Sequence, residues 1–148
     1  EDGASIEPDA LRGRPAVLVF YRGNWCPLCV AQIKELVAAW RDVTEQATLW
    51  FISNQGRAPT RAIAAKFDLP GAFLRDADGL AARTLGLHAP GATPAGLELL
   101  GYPRDAAVPT TIVIDADGIV RFVEVADNYR LRPDPDAYLS YLDGSVQG

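Results

Sequence analysis

The chain has 148 residues and a net charge of −5 at pH 7, with 49% hydrophobic and 22% charged residues. This length can bury a core without disulfide bridges or a structural metal, so we expect a single domain over residues 1–148. The sequence has neither a run of basic residues nor an apolar stretch of about 20 residues, which argues against nucleic-acid binding and membrane insertion.

The first 14 residues are polar and rich in glycine and proline, and we expect a loose N-terminal segment over 1–14. The sequence contains no methionine. Because a translated chain normally begins with methionine, we expect that an upstream segment has been removed. We expect a cytoplasmic protein, with a periplasmic or exported protein as the alternative that the missing start leaves open.

Hydrophobic patterning predicts alternating strands and helices in the first half of the chain. One side of the first helix carries Val30, Ile33, Val37 and Trp40, and Gln32 falls mostly off this side. The predicted elements are buried strands at 15–21 and 48–53, helices at 26–46 and 57–67, a short strand at 73–75 and a short helix at 79–85.

The second half begins with a glycine- and proline-rich stretch, 86–107, which we interpret as an irregular loop insertion. Such a loop is either functional or simply exposed to solvent. Strands at 110–115 and 119–125 follow, joined by an Asp-Gly turn that is typical of a hairpin, and a helix is predicted at 135–142. The whole pattern predicts an α/β fold with a central mixed sheet flanked by helices.

The two cysteines of the chain, Cys26 and Cys29, lie between the first buried strand and the first helix. Residues three apart in a helical turn face the same side, so the two thiols can form a local disulfide. Helix N-termini lower thiol pKa values from about 8.5 to between about 3.5 and 7.5, so we expect a thiolate at neutral pH. We therefore predict a catalytic pair, with Cys26 as the more exposed nucleophile and Cys29 as the buried resolving thiol.

Two simpler interpretations of the cysteines compete with this prediction. A structural zinc site normally takes four ligands, and only one histidine, His88, accompanies the two cysteines. We therefore expect no metal and no cofactor, and we treat His88 as incidental. The other interpretation, two ordinary buried cysteines, would leave the Trp-Cys-Pro-x-Cys sequence at a strand–helix junction without a purpose.

Three segments together carry a family resemblance. They are FYRGNWCPLC at 20–29, VPTTIVIDADGIVRFVEV at 108–125 and DNYRLRPDPDAYLSYL at 127–142. With these motifs the chain resembles the thioredoxin-like superfamily and, within it, the peroxiredoxin-like branch called alkyl hydroperoxide reductase/thiol-specific antioxidant (AhpC/TSA). The resemblance implies a thioredoxin-like fold, an oxidoreductase acting on disulfides or peroxides, and a separate thiol system that donates electrons.

The resemblance also implies roles for residues around the cysteines. Pro109 matches the cis-proline that faces the cysteine pair in thioredoxins, so Val108 and Pro109 would line the substrate groove. Trp25 would cover the active-site surface, and Arg22 would either supply positive charge or remain solvated. The alternatives are an ordinary trans proline at the start of a strand and a core tryptophan.

The chain departs from the peroxiredoxin pattern P-x-x-x-T-x-x-C. Alignment puts Cys29 at the peroxidatic position, Cys26 at the threonine and Arg22 at the proline, while the second arginine of the family falls on Pro109. Our leading hypothesis is therefore dithiol–disulfide exchange with a protein disulfide. The alternatives are a peroxidase for hydrogen peroxide or alkyl hydroperoxides, and a non-enzymatic redox-sensing module that binds a partner through 86–107. The oligomeric state is not predicted.

Overall fold

The structure is a computed structural model that describes residues 5–40, 47–69, 71–126 and 134–142. The main sheet contains β1 (Ala16–Phe20), β2 (Thr48–Ser53), β3 (Phe73–Arg75), β6 (Thr110–Ile114) and β7 (Val120–Val125), and a second, small sheet contains β4 (His88–Ala89) and β5 (Ala106–Ala107). The helices are α1 (Pro27–Trp40), α2 (Arg57–Phe67), α3 (Leu80–Thr84) and α4 (Pro135–Leu139).

The main sheet is mixed, and its strand order is β3-β2-β1-β6-β7. Strands β1, β2 and β3 run parallel to one another, whereas β6 is antiparallel to both β1 and β7. Parallel strands need a crossover connection, and helices α1 and α2 supply the two crossovers. The α/β class with a central mixed sheet and flanking helices is therefore confirmed.

Apolar cores lie on both faces of the sheet, because every residue of the central strands β1 and β6 is buried. On one face, Val17 and Val19 pack with both cysteines and with the buried side of α1. On the other face, Leu18 packs with residues from α3 and from the ends of the 86–107 segment. The cysteine pair thus belongs to one core and the base of the insertion to the other.

The predicted bounds of β2, α2 and β3 agree with the observed elements. Helix α1 begins at Pro27, and its predicted extension through 41–46 lies outside the described residues. Gln32 was wrongly placed off the buried side. It is buried because its Nε2 donates to Thr111 Oγ1 at 3.2 Å, and this hydrogen bond offsets the loss of water.

A tight turn joins β6 to β7, as predicted. The Asp115 carboxylate accepts the N–H groups of Asp117 and Ile119, at 2.9 and 3.0 Å, and the Nε–H of Arg121 at 2.7 Å. The backbone bond to Ile119 is the largest of the effects that lower the pKa of Asp115. The turn is completed by Gly118 at φ +83°.

Gly118→Ala is expected to destabilise the protein by about 1–2 kcal/mol, because a Cβ disfavours left-handed backbone angles. A Cβ at this position would meet no other atom within 4 Å, so the cost is purely conformational. Urea unfolding measures the change. Gly118→Asn serves as the control, since asparagine tolerates positive φ, and equal losses in both variants would contradict the explanation.

The interpretation of 86–107 as irregular was wrong in part. Its two ends pair as the antiparallel strands β4 and β5, and a 3₁₀ turn at Leu97–Leu100 lies between them. Two-residue strands leave no alternating pattern in a sequence, which is why the glycines and prolines dominated the prediction. The segment remains an insertion between α3 and β6, but it is a folded one.

The two ends of the chain are only partly described. A 3₁₀ turn, Pro8–Leu11, lies in the exposed N-terminal segment, and residues 1–4 are outside the described part. Helix α4 and a following 3₁₀ turn span 135–142, as predicted, whereas 127–133 of the third motif lie outside the described residues. Within the described ranges, no helix combines the length and apolar character that crossing a membrane requires.

Candidate active site

Cys26 occupies the N-cap of helix α1, at the carboxyl end of the central strand β1. Its N–H donates to the carbonyl of Gly23 at 3.1 Å, which closes the turn after the strand. Its own carbonyl accepts the N–H of Val30 at 3.1 Å, the first hydrogen bond of the helix. Pro27 follows at the first helical position, where its missing N–H costs nothing.

The two cysteines are linked by a short contact. The backbone N–H of Cys29 donates to Cys26 Sγ at 3.3 Å, so the sulfur takes the place that a serine or aspartate oxygen has at many N-caps. The contact places a backbone N–H donor directly against the Cys26 sulfur. Cys26 is 3% exposed and Cys29 0%, so the expected difference in exposure is small and both are buried.

Trp25 and Arg22 form a layer beside the cysteines. The Arg22 guanidinium carbon lies 4.6 Å from the centroid of the Trp25 ring, and its Nη2 donates to the carbonyl of Ala92 at 2.8 Å. Trp25 is half-buried and packs against the core that contains both cysteines. Arg22 is therefore held at the motif by two contacts rather than solvated, and Trp25 both packs on the core and borders the site.

Only a glycine at position 23 lets the Trp25 ring pack against the turn in this position. A Cβ on residue 23 would lie 2.7 Å from Trp25 Nε1 and 2.9 Å from its Cδ1. Real Cβ atoms do not approach that closely, so any other residue would push the indole away from the turn. Sequence reasoning did not single out Gly23, although a glycine two residues before a tryptophan in a tight turn is a recognisable signal.

A buried amide fixes the turn from the neighbouring strand. Gln55, fully buried just after β2, accepts the N–H of Asn24 at 3.0 Å, and its Nε2 lies 3.0 Å from both Asn24 Oδ1 and Tyr21 Oη. The Asn24 side chain in turn donates to the carbonyl of Pro59 at 2.7 Å. This network was not predicted. Its signal is a polar residue directly after a buried strand, at the sheet edge where active sites form.

The Tyr21 hydroxyl lies within this network and close to Cys29. Burial raises the pKa of Tyr21 above its usual value of about 10, and Cys29 and Tyr102 add smaller upward effects. A hydrogen bond with Ser53 acts in the opposite direction. The hydroxyl consequently keeps its proton at neutral pH.

Stability is expected to fall as the pH rises above about 10, by up to about 1.4 kcal/mol per pH unit for this group. The folded protein keeps the Tyr21 proton where the unfolded chain has lost it, so the unfolded state gains. Urea unfolding at several alkaline pH values measures the slope. Tyr21→Phe is the control and should show a shallower slope; an unchanged slope would exclude Tyr21 as the cause.

The 86–107 insertion forms hydrogen bonds with Arg22 and Asn24 of the cysteine motif and with Gly56, next to Gln55. Arg22 reaches Ala92, the N–H of Gly56 donates to the carbonyl of Gly101 at 2.7 Å, and the Tyr102 hydroxyl hydrogen-bonds with the Asn24 side chain. Partial burial raises the pKa of Tyr102. The 86–107 segment therefore forms a wall of the site rather than a free surface loop.

Pro109 differs from the cis-proline that the resemblance implied. No peptide bond among the described residues is cis, so the bond before Pro109 is trans. The N–H of Val108 donates to the carbonyl of Leu87 at 2.7 Å, and the carbonyl of Pro109 accepts the N–H of Ala126 at 2.9 Å. Val108 packs on the opposite face of the sheet from the cysteines. The N–H of Val108 and the carbonyl of Pro109 are therefore already paired within the chain, and the substrate groove stays a prediction.

His88 has a partner that the sequence did not reveal. His88 lies on β4, and its Nε2 is 3.3 Å from Asp105 Oδ2, away from the cysteine motif. Across the described part of the chain, no three histidine, cysteine, aspartate or glutamate side chains group together as metal ligands would.

Comparisons with known proteins agree with this geometry. The model of the AhpC/TSA family matches residues 1–123. The bacterioferritin comigratory protein of Xanthomonas campestris has a similar structure, with a TM-score of 0.75 and 15% identity over 98% of this chain and 87% of that one. Enterococcus faecalis AhpC gives a TM-score of 0.70 and 16% identity over 95% and 79%.

A third similar structure, the peroxidoxin BcpB of Mycobacterium tuberculosis, has a TM-score of 0.66 and 24% identity over 93% of this chain and 83% of that one. Among curated proteins, no sequence matches this chain. The structural likenesses establish a shared fold, and the family model covers most of the sequence. The chain belongs to the AhpC/TSA family of thioredoxin-like oxidoreductases.

Proposed function

We propose that the protein reduces hydrogen peroxide or an alkyl hydroperoxide, with Cys26 as the attacking thiolate and Cys29 as the resolving thiol. One observation carries the proposal: Cys26 Sγ caps helix α1, accepts the N–H of Cys29 at 3.3 Å and is 3% exposed. The backbone donor supports negative charge on the sulfur, and the low exposure supports a small oxidant.

The reaction has three steps. The Cys26 thiolate attacks one peroxide oxygen, the O–O bond breaks, and the leaving oxygen takes up a proton as water or alcohol while Cys26 becomes a sulfenic acid. The Cys29 thiol then attacks the Cys26 sulfur, which forms the disulfide and releases water. An external dithiol reduces this disulfide by exchange and is itself oxidised.

The burial of Cys26 favours a peroxide over a protein disulfide as the oxidant. Thiol–disulfide exchange needs the attacking sulfur to reach a sulfur carried by another chain. Here the motif is bordered by Trp25, by Arg22 and by the insertion through Ala92. Hydrogen peroxide is far smaller than a protein disulfide, so it requires less displacement of this layer.

The residues that stabilise the leaving oxygen must differ from the family pattern, because Arg22 and Cys26 replace the proline and the threonine of that pattern. Fixed donors aimed at developing charge are usually a large catalytic contribution. We propose that the Arg22 guanidinium, held over Trp25, and the protonated Tyr21 hydroxyl near Cys29 supply part of it. Trp25 would then exclude water from the reacting sulfur.

Dithiol–disulfide exchange remains the second candidate. It is favoured by the two thiols in one helical turn, since a local pair can both form and release a mixed disulfide. In that case the insertion would have to move before a protein substrate reached Cys26. The two candidates therefore make opposite predictions about which oxidant reacts fast.

The test compares two oxidants. The reduced protein is mixed in a stopped-flow instrument with hydrogen peroxide and, separately, with insulin, and tryptophan fluorescence is followed. A synthetic peptide of residues 20–29 is the unstructured control. We expect the protein to react with peroxide at least about a hundredfold faster than the peptide. A peroxide rate equal to that of the peptide, with fast oxidation by insulin, would overturn the proposal in favour of disulfide exchange.

A further inference from the structure

A separate cavity of about 490 Å³ lies at the carboxyl ends of β2 and β3, against the insertion. Its lining includes Asn54, Arg75, Arg83, His88, Arg104 and Asp105. None of the residues of the cysteine motif lines it. The volume is in the range of small-molecule sites, so the question is which chemistry the lining would recognise.

The lining contains positively charged side chains that have no partner among the described residues. Neither Arg83 nor Arg104 forms an ion pair or a side-chain hydrogen bond with any residue that the structure describes. By contrast, the Asp105 carboxylate is already engaged, since Oδ2 lies 3.3 Å from His88 Nε2 and Oδ1 accepts the N–H of Gly91 at 2.8 Å. Asp78 is the other acidic residue of the lining. Three guanidinium groups thus face two carboxylates, in a chain whose net charge is −5.

The walls of the cavity are held in place by hydrogen bonds. Arg75 Nε donates to the carbonyl of Gln55 at 3.0 Å, which orients the guanidinium and leaves its two Nη groups for a ligand. Across the cavity, Asn54 Nδ2 donates to the carbonyl of Asp105 at 2.7 Å and ties the insertion to the end of β2. Groups that are fixed before binding lose less entropy when a ligand arrives.

We propose that this cavity binds a small oxyanion, a phosphate or carboxylate group held by Arg75, Arg83 and Arg104. The guanidinium group presents a planar fork of N–H donors that matches two oxygens of either anion. The side chains of Arg83 and Arg104 have no partners among the described residues, so their positive charge is available to a ligand. Arg75 has a fixed orientation, which would orient the bound anion. The inference is independent of the cysteine chemistry.

His88 provides a probe at the site, because it is the one histidine of the chain and lines the cavity. Its imidazole NMR signals are followed while inorganic phosphate or succinate is added at constant pH and constant ionic strength, with sodium chloride as the blank. We expect a saturable shift with at least one of the two anions and none with chloride. Saturation by phosphate alone or by succinate alone would identify the source of the anionic group.

The double variant Arg83→Ala/Arg104→Ala is expected to weaken this binding at least about tenfold. Arg12→Ala/Arg121→Ala removes the same charge from outside the cavity and is the matched control, expected to bind as the wild type does. Circular dichroism and urea unfolding establish that both variants fold. The proposal is overturned if neither anion gives a saturable shift, or if the two double variants lose affinity equally.

Discussion

Cys26→Ser is expected to lower peroxide turnover by at least about a thousandfold, whereas Cys29→Ser is expected to react once and stop at a sulfenic acid. Loss of the attacking sulfur removes the first chemical step altogether. Loss of the resolving sulfur leaves that step intact, because the Cys29→Ser substitution keeps the backbone N–H that donates to Cys26 Sγ. Intact-protein mass spectrometry after dimedone labelling measures both results.

The Cys26→Ser substitution should leave the fold intact. Serine is among the best N-cap residues, so helix α1 should begin as before and the urea midpoint should change little. The contrary outcome is a swap of roles, with a labelled sulfenic acid on Cys29 in the Cys26→Ser protein and an inert Cys29→Ser protein. That result would favour the alignment that places Cys29 at the peroxidatic position of the family.

Gln55→Leu is expected to destabilise the protein by about 2–4 kcal/mol and to slow the reaction with peroxide. The substitution leaves the N–H of Asn24 without its acceptor and removes the donor to Tyr21 Oη, in a fully buried place. A buried polar group that loses its partner costs about 1–3 kcal/mol. The turn that carries Cys26 should shift as a result.

Gln32→Leu is the matched control for this effect. Gln32 is also a buried glutamine, but it lies on helix α1, away from the turn, and its side chain donates to Thr111. Urea unfolding and the peroxide rate are measured for both variants. If the two variants lose stability equally and react with peroxide at equal rates, the hydrogen bonds of Gln55 do not hold the Cys26 turn in place.

Local patterns in the sequence predicted much of the fold. Strand β2, helix α2 and strand β3 have continuous or periodic apolar patterns, and their bounds were predicted as observed. The cysteine pair was likewise predicted at a strand–helix junction, because spacing, proline and preceding strand are all local features. Such features depend on neighbours within a turn or two, which a sequence displays directly.

Contacts between distant residues could not be predicted in the same way. Gln32 is buried because of a hydroxyl 79 positions away, and Gln55 reaches back 31 positions to Asn24. The contact of His88 with Asp105 depends on two-residue strands that are too short to leave a pattern. Pro109 shows the limit of a resemblance, because the matching position holds a trans bond and paired backbone groups.

Gln55 contacts both the cysteine motif and the proposed anion site. Its side chain holds the turn of the cysteine motif, while its carbonyl orients Arg75 in the cavity proposed to bind an anion. Coupling between a binding site and a redox couple is reciprocal. An anion that binds the reduced protein about tenfold more tightly than the oxidised protein therefore raises the midpoint potential of a two-electron couple by about 30 mV. The supply of such an anion would then set how readily the cysteine pair accepts electrons from its reductant.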